Sequence, residues 1–352
     1  MMNDKFNINF SCPVQSNEFD KILMAHGGGG TYSKKLLEQF IYPLFDNNIL
    51  SQRHDSGIFE ISKSKFAFTT DSFVVNPIFF PGGDIGKLAV NGTINDLSVA
   101  GAKPLFISLS LIIEEGFPIE DFQKILLSIK SATEIANVKV ITGDTKVVEK
   151  GSCDKIFINT AGIGIIENEV DINPTKCKAG DKIILSGSIA EHGIAILTSR
   201  NNFEIETNIK SDTSPLNNLV EKILNVSKNI HMMRDPTRGG LSSCLNEIAQ
   251  SASVSMLIYE NKIPVKEEVR SLCELLGLDP LYIANEGKIV VIVEPDDADA
   301  VLRTMRQDPI GQDAQIIGEI IEDNSNLVFM KTIIGTTRMI DMISGEQLPR
   351  IC

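Results

Sequence analysis

Apolar positions along this chain change their period repeatedly, dividing it into short apolar runs and longer amphipathic stretches. After a polar leader and the tract His26-Gly27-Gly28-Gly29-Gly30, residues 34–42 repeat at helical spacing, and Pro43 predicts their end. Residues 66–70 read as a strand ending at Asp71; 105–112 and 138–142 are two more, the last delivering Gly143-Asp144-Thr145-Lys146. Residues 83–100 predict a largely apolar helix, and 119–136 a more amphipathic one with Glu120 and Asp121 in its first turn. A β-rich run at 156–166 closes this half.

Asn173-Pro174 and Lys178-Ala179-Gly180-Asp181 carry turn chemistry and mark a boundary. Beyond it, strands read at 182–186, 254–259, 289–293 and 314–320, and helices at 190–199, 214–229, 239–251 and 265–276. The expectation is an α+β fold with domains at 46–168 and 174–337, a Gly-rich leader at 1–45 and a mobile tail at 338–352. The tail has no amphipathic period. It finishes Leu348-Pro349-Arg350-Ile351-Cys352, which places a thiol on a short arm and a cation, Arg350, near it.

Composition narrows the function classes. The chain of 352 residues is 43% hydrophobic and 22% charged, ordinary for a soluble globular protein. Its formal net charge of −13 argues against nucleic acid or an anionic membrane as the main partner. No apolar run is long enough to span a bilayer, and the first residues lack a secretory apolar core. The six cysteines are scattered, with no C-x-x-C pair, which speaks against a zinc site or a disulfide framework. A cytoplasmic protein with reduced thiols is the reading.

Acidic residues recur at the ends of elements: Asp55 in a turn, Asp71 and Asp144 after strands, Asp235 opening Asp235-Pro236-Thr237-Arg238-Gly239-Gly240. With Asp96 on the 83–100 helix they form a candidate Mg²⁺ set, since carboxylates at strand ends converge on one crevice where a metal bridges nucleotide phosphates. Each taken singly reads equally as a cap or turn residue. Asp84, Lys87, Asn91 and Asn95 form a polar stripe on that helix and must find partners, either ligand or solvent. The glycine tract lacks a Walker ending, yet Gly28 and Gly29 offer backbone N–H groups to phosphate; a plain hinge is the other reading.

Several segments together closely resemble the HypE family of carbamoyl dehydratases in NiFe-hydrogenase maturation. They are Thr69-Thr70-Asp71-Ser72-Phe73-Val74-Val75, Phe80-Pro81-Gly82-Gly83-Asp84-Ile85-Gly86-Lys87-Leu88-Ala89-Val90 and Gly143-Asp144-Thr145-Lys146-Val147-Val148. Met233-Arg234-Asp235-Pro236-Thr237-Arg238-Gly239-Gly240-Leu241, Asn285-Glu286-Gly287-Lys288 and the Pro-Arg-Ile-Cys ending complete the set, and the ending is its most specific part. The chain also looks like the wider superfamily of aminoimidazole ribonucleotide synthetase, selenophosphate synthetase and thiamine-monophosphate kinase.

The resemblance implies a homodimer of a two-domain aminoimidazole ribonucleotide synthetase-like fold with ATP and Mg²⁺ as cofactors. It implies that HypF carbamoylates Cys352, that the S-carboxamide is dehydrated to an S-thiocyanate, and that the cyano group passes to a HypC–HypD complex. Glu286 would be the base, with Lys146 orienting phosphate or sharing proton transfer. Asp84, Lys87, Asn91, Thr145, Gly28 and Gly29 would hold the nucleotide. The chain departs from the family's pattern at Asn91, at Glu191-His192-Gly193 and around Ser211-Asp212-Thr213-Ser214-Pro215, places that bear on local packing. Two rivals are a superfamily synthetase or kinase acting on a free small molecule, which leaves Cys352 idle, and a non-catalytic carrier, which leaves the Asp array idle.

Overall fold

The run predicted at 156–166 is the strand Ile156–Ile166, every second residue of which is buried, and a five-stranded sheet is built around it. A computed structural model describes residues 21–28, 30–45, 47–167, 169–200, 207–345 and 348–352. The leader to residue 20 and Gly29 therefore lie outside the described residues.

The first sheet runs in the order Gly57–Ile61, Ser64–Phe73, Ile156–Ile166, Ala102–Glu114, Lys139–Val148; only the last pair is parallel. Helices Ile85–Val99 and Ile119–Ile135 pack together, and the first of them covers one face of this sheet. The other face leaves Phe68, Phe106 and Ile112 exposed, and the edge strand adds Val140, Ile141 and Val147.

The second sheet has seven strands, in the order Thr337–Ile340, Val328–Lys331, Ser255–Tyr259, Gln315–Ile321, Lys182–Leu185, Val290–Val293, Ile230–Arg234. Val290–Val293 is buried at every position, which is why it reads as an unbroken apolar run. The apolar interior is continuous between the halves: Ala67, Leu97 and Val99 pack in one cluster with the second sheet and its helices. Among the described residues, no helix is long and apolar enough to cross a membrane.

Several element boundaries differ from the sequence reading. Pro43 does not end the helix: helical backbone runs on from Gly30–Leu36 through the wider turn Leu37–Ile41 into Tyr42–Phe45. Asp71 lies inside the strand Ser64–Phe73, not after it. Gly143-Asp144-Thr145-Lys146 likewise lies within Lys139–Val148, because an edge strand tolerates polar and glycine residues that a central one would not. Elements not anticipated include the strands Gly57–Ile61, Ile230–Arg234, Val328–Lys331 and Thr337–Ile340 and the helix Pro295–Arg306.

Candidate active site

Strand Ser64–Phe73, helix Ile85–Val99 and the end of strand Ile230–Arg234 bring Asp71, Asp96 and Asp235 into one electrostatic cluster with Asp55. Asp96 is partly buried; burial, then Asp235, Asp71 and Asp55, push its carboxyl well above the usual range, against a hydrogen bond from the Thr69 hydroxyl at 2.8 Å. Burial and Asp55 carry Asp235 up to about 7. Asp71 is also raised by burial, with Arg238 opposing. Asp55 is held at 2.9 Å by Arg234, which also binds Glu247 at 2.9 Å.

Glu286 joins the cluster from the segment preceding Val290–Val293. It is 4% exposed, and burial, then Asp235, Asp212 and Asp71, raise its carboxyl well above the ordinary range, with Arg238 opposing. Glu286 Oε1 and Asp55 Oδ2 are buried and accept no hydrogen bond. Repelling carboxylates with orphaned oxygens fit a divalent cation. Among the described residues, no three His, Cys, Asp or Glu groups stand assembled as a complete metal site.

Beside the cluster is a cleft of about 250 Å³ lined by Gly27, Gly28, Val74, Arg238 and the arm residues Leu348, Arg350, Ile351 and Cys352, among others. Arg238 donates to the Gly27 carbonyl at 3.0 Å and responds to negative charge at Cys352, Asp71, Glu286 and Asp96. It is the cation between the thiol-bearing arm and the carboxylates. Sequence reasoning assigned it no role, although it stands in the Asp-Pro-Thr-Arg-Gly-Gly turn beside Asp235.

The arm is seated in this cleft. Val74 N donates to the Cys352 carbonyl at 3.0 Å and Asn76 N to that of Arg350 at 3.1 Å. His192 Nε2 donates to the Ile351 carbonyl at 2.8 Å, and Arg200 to the Pro349 and Arg350 carbonyls. Ile351 is 5% exposed and packs in the cluster containing Phe73, Val75 and Phe80. Arg350 points away from the acidic cleft and pairs with Asp154, with its Nε on the Val74 carbonyl at 2.8 Å. Arg238 is the cation that feels the charge at Cys352, while Arg350 latches the arm through Asp154.

The remaining candidates lie elsewhere. Asp144 and Lys146 pair with each other at 2.8 Å, both mostly exposed, and Thr145 beside them is exposed too; none of the three lines the cleft. The strand carrying them is at the sheet edge, remote in sheet order from the strand that bears Asp71.

The polar stripe has found protein partners. Asp84 caps its own helix through Gly86 N and Lys87 N, and Lys87 Nζ donates to the Gly82 carbonyl at 2.9 Å. Asn91 donates to Thr213 Oγ1 at 3.2 Å, and Asn95 to the Ser214 and Glu286 carbonyls at 3.1 and 3.3 Å. In this structure the stripe is chiefly a joint between the two halves and not an open ligand wall.

Comparison with known proteins extends to nearly the whole chain. The family described as AIR synthase related protein, N-terminal domain, matches residues 53–166, and its C-terminal domain counterpart matches 178–331. Carbamoyl dehydratase HypE of Cupriavidus necator is 48% identical over 333 residues, covering 94% of this chain and 95% of that one. The crystal structure of a HypE–HypF complex superposes with a TM-score of 0.83 at 48% identity, over 88% of this chain and 99% of that one. HypE in complex with ATP superposes with a TM-score of 0.79 at 42% identity, over 94% of this chain and 100% of that one.

Proposed function

This chain belongs to the HypE family of carbamoyl dehydratases, and on that premise we propose that it uses Mg-ATP to dehydrate a carboxamide carried on its own Cys352, leaving a thiocyanate. The observation that carries this reading is the seat of the arm: residues 348–352 lie in the cleft beside Arg238, with Glu286 and the Asp cluster adjoining.

The chemistry follows from the substrate. The carboxamide oxygen attacks the γ-phosphorus of ATP, ADP leaves, and nitrogen gives up one proton. Loss of inorganic phosphate with the second nitrogen proton then forms the C≡N bond. Glu286 is the base. Burial and the neighbouring carboxylates hold a proton on Glu286; a cation bound among those carboxylates would offset their repulsion and leave Glu286 ionised, able to accept a proton from the amide N–H. Arg238 offsets negative charge between the cargo and the carboxylates. Asp55, Asp71, Asp96 and Asp235 would hold Mg²⁺, which when bound neutralises the phosphates. Gly27 and Gly28 of the glycine tract line the same cleft, and backbone N–H groups there would hold phosphate.

HypF would load Cys352 and a HypC–HypD complex would receive the cyano group; a relative's structure with HypF supports the first partner. The apolar outer sheet face supports a homodimer. In such a dimer Asp144, Thr145 and Lys146 would face a second copy, which is how Lys146 could still serve the phosphate. The described cysteines are all free, which supports a cytoplasmic setting with these partners.

The test is intact-protein mass spectrometry of HypF-carbamoylated protein before and after Mg-ATP. Loss of one water that requires both ATP and Cys352 is the expected result. A carbamoyl group that persists with ATP bound would make the protein a carrier.

A further inference from the structure

Two neighbouring residues outside the cleft, Ser211 and Asp212, connect to both reacting partners of that proposal. His192 is 0% exposed, on helix Glu191–Thr198, with its ring edge-on to Phe80. A carbonyl only accepts, so the His192 nitrogen facing Ile351 carries the proton, and Nδ1 accepts from the Ser211 hydroxyl at 2.7 Å. Ser211 Oγ in turn accepts from Thr213 N at 3.1 Å, leaving its own hydrogen for His192.

The next residue grips the base. Asp212 accepts from Glu286 N at 3.1 Å through one oxygen and from Gly287 N at 3.2 Å through the other. Lys288 Nζ lies 3.1 Å from that second oxygen, and both side chains are under a tenth exposed. Burial alone would raise Asp212, but Lys288 and the Glu286 N–H hold it ionised. The approach is close enough that a Cβ on Gly287 would sit 2.0 Å from the Asp212 carbonyl oxygen.

We propose that Ser211-Asp212 is a single positioning joint that aligns the cargo on Cys352 with Glu286. One residue fixes the arm through His192 while the next fixes the Glu286 peptide with the help of Lys288. None of these side chains touches the reacting atoms; they act by placement, where an error of about 1 Å costs about 10²-fold in rate. The inference rests on the reading of Cys352 as carrier and Glu286 as base.

The experiment follows water loss at carbamoylated Cys352 by intact mass in the full-length protein at saturating Mg-ATP, with ATP affinity and thermal melting measured alongside. His192→Phe fills the ring's space without its nitrogens. It is expected to slow dehydration about 10²-fold with ATP affinity unchanged, while His192→Gln, which restores donor and acceptor, recovers most of the rate. Asp212→Asn is expected to slow the step comparably, and the double variant to be no slower than the worse single one. Multiplied effects in the double variant, equal loss in His192→Phe and His192→Gln, or a His192→Phe protein as fast as its parent would each overturn the joint. Should His192→Phe fail to fold, Ser211→Ala carries the same test. Glu286→Gln runs in parallel: full activity there would remove the base assignment and leave the coupling between His192 and Asp212 readable on its own.

Discussion

At the scale of single residues the site is dominated by carboxylates that prefer a proton. Asp235 titrates at about 7 in the folded protein against an ordinary 3.8, so the fold binds a proton that the unfolded chain has released. Its contribution to stability is therefore full below 3.8 and is lost as the pH rises toward about 7. Asp96 and Glu286 are shifted the same way. Thermal melts of the apo protein should fall across that window, Asp235→Asn should flatten the fall, and Mg-ATP should do so in the parent; a melt independent of pH would contradict the cluster. Arg234 has the opposite task. It holds Asp55 and Glu247 together, so Arg234→Met leaves the largely buried Asp55 and the part-exposed Glu247 facing each other without a cation and should destabilise the protein by about 1–3 kcal/mol in chemical denaturation.

Among elements, helix Ile85–Val99 is the hinge pin between the halves. Asn95 alone donates to two carbonyls and accepts Leu216 N at 2.8 Å. Asn95→Ala orphans these groups and should cost about 1–3 kcal/mol, with a loss of dehydration rate because one of the carbonyls belongs to Glu286. Retained activity in a destabilised Asn95→Ala protein would uncouple the two. This helix also shows what the sequence could disclose. Its span was legible from apolar content, and the need of its polar stripe for partners followed from burial. The partners were not legible, because Thr213, Ser214 and Glu286 lie more than a hundred residues away and carry no spacing signal. Asp71 and Asp235 could be grouped because each stood in a marked motif, and Asp96 because it lay on the predicted helix 83–100. His192, Arg200 and Arg238 could not be assigned work, since what they hold is main chain or a charge set by the fold. The strands Val328–Lys331 and Thr337–Ile340 escaped notice because they are only four residues each, too short for a period of two to declare itself.

For the whole molecule, the sheet face opposite helix Ile85–Val99 leaves apolar side chains exposed among the described residues. Phe68, Phe106 and Ile112 are each more than a third exposed. Phe106→Glu should convert a dimer to a monomer in sedimentation equilibrium, and an unchanged mass would place the contact elsewhere. A different consequence follows from how the arm is gripped. Val74, Asn76, His192 and Arg200 all bind carbonyls of residues 349–352, and Ile351 fills the apolar seat. These contacts would be the same whether the sulfur bears a carbamoyl group, a cyano group or nothing. A holder with equal affinity for each form cannot sort them, because equal affinity shifts no equilibrium. The vise is blind to the workpiece, so the order to release must come from the phosphates beside it or from the protein waiting outside.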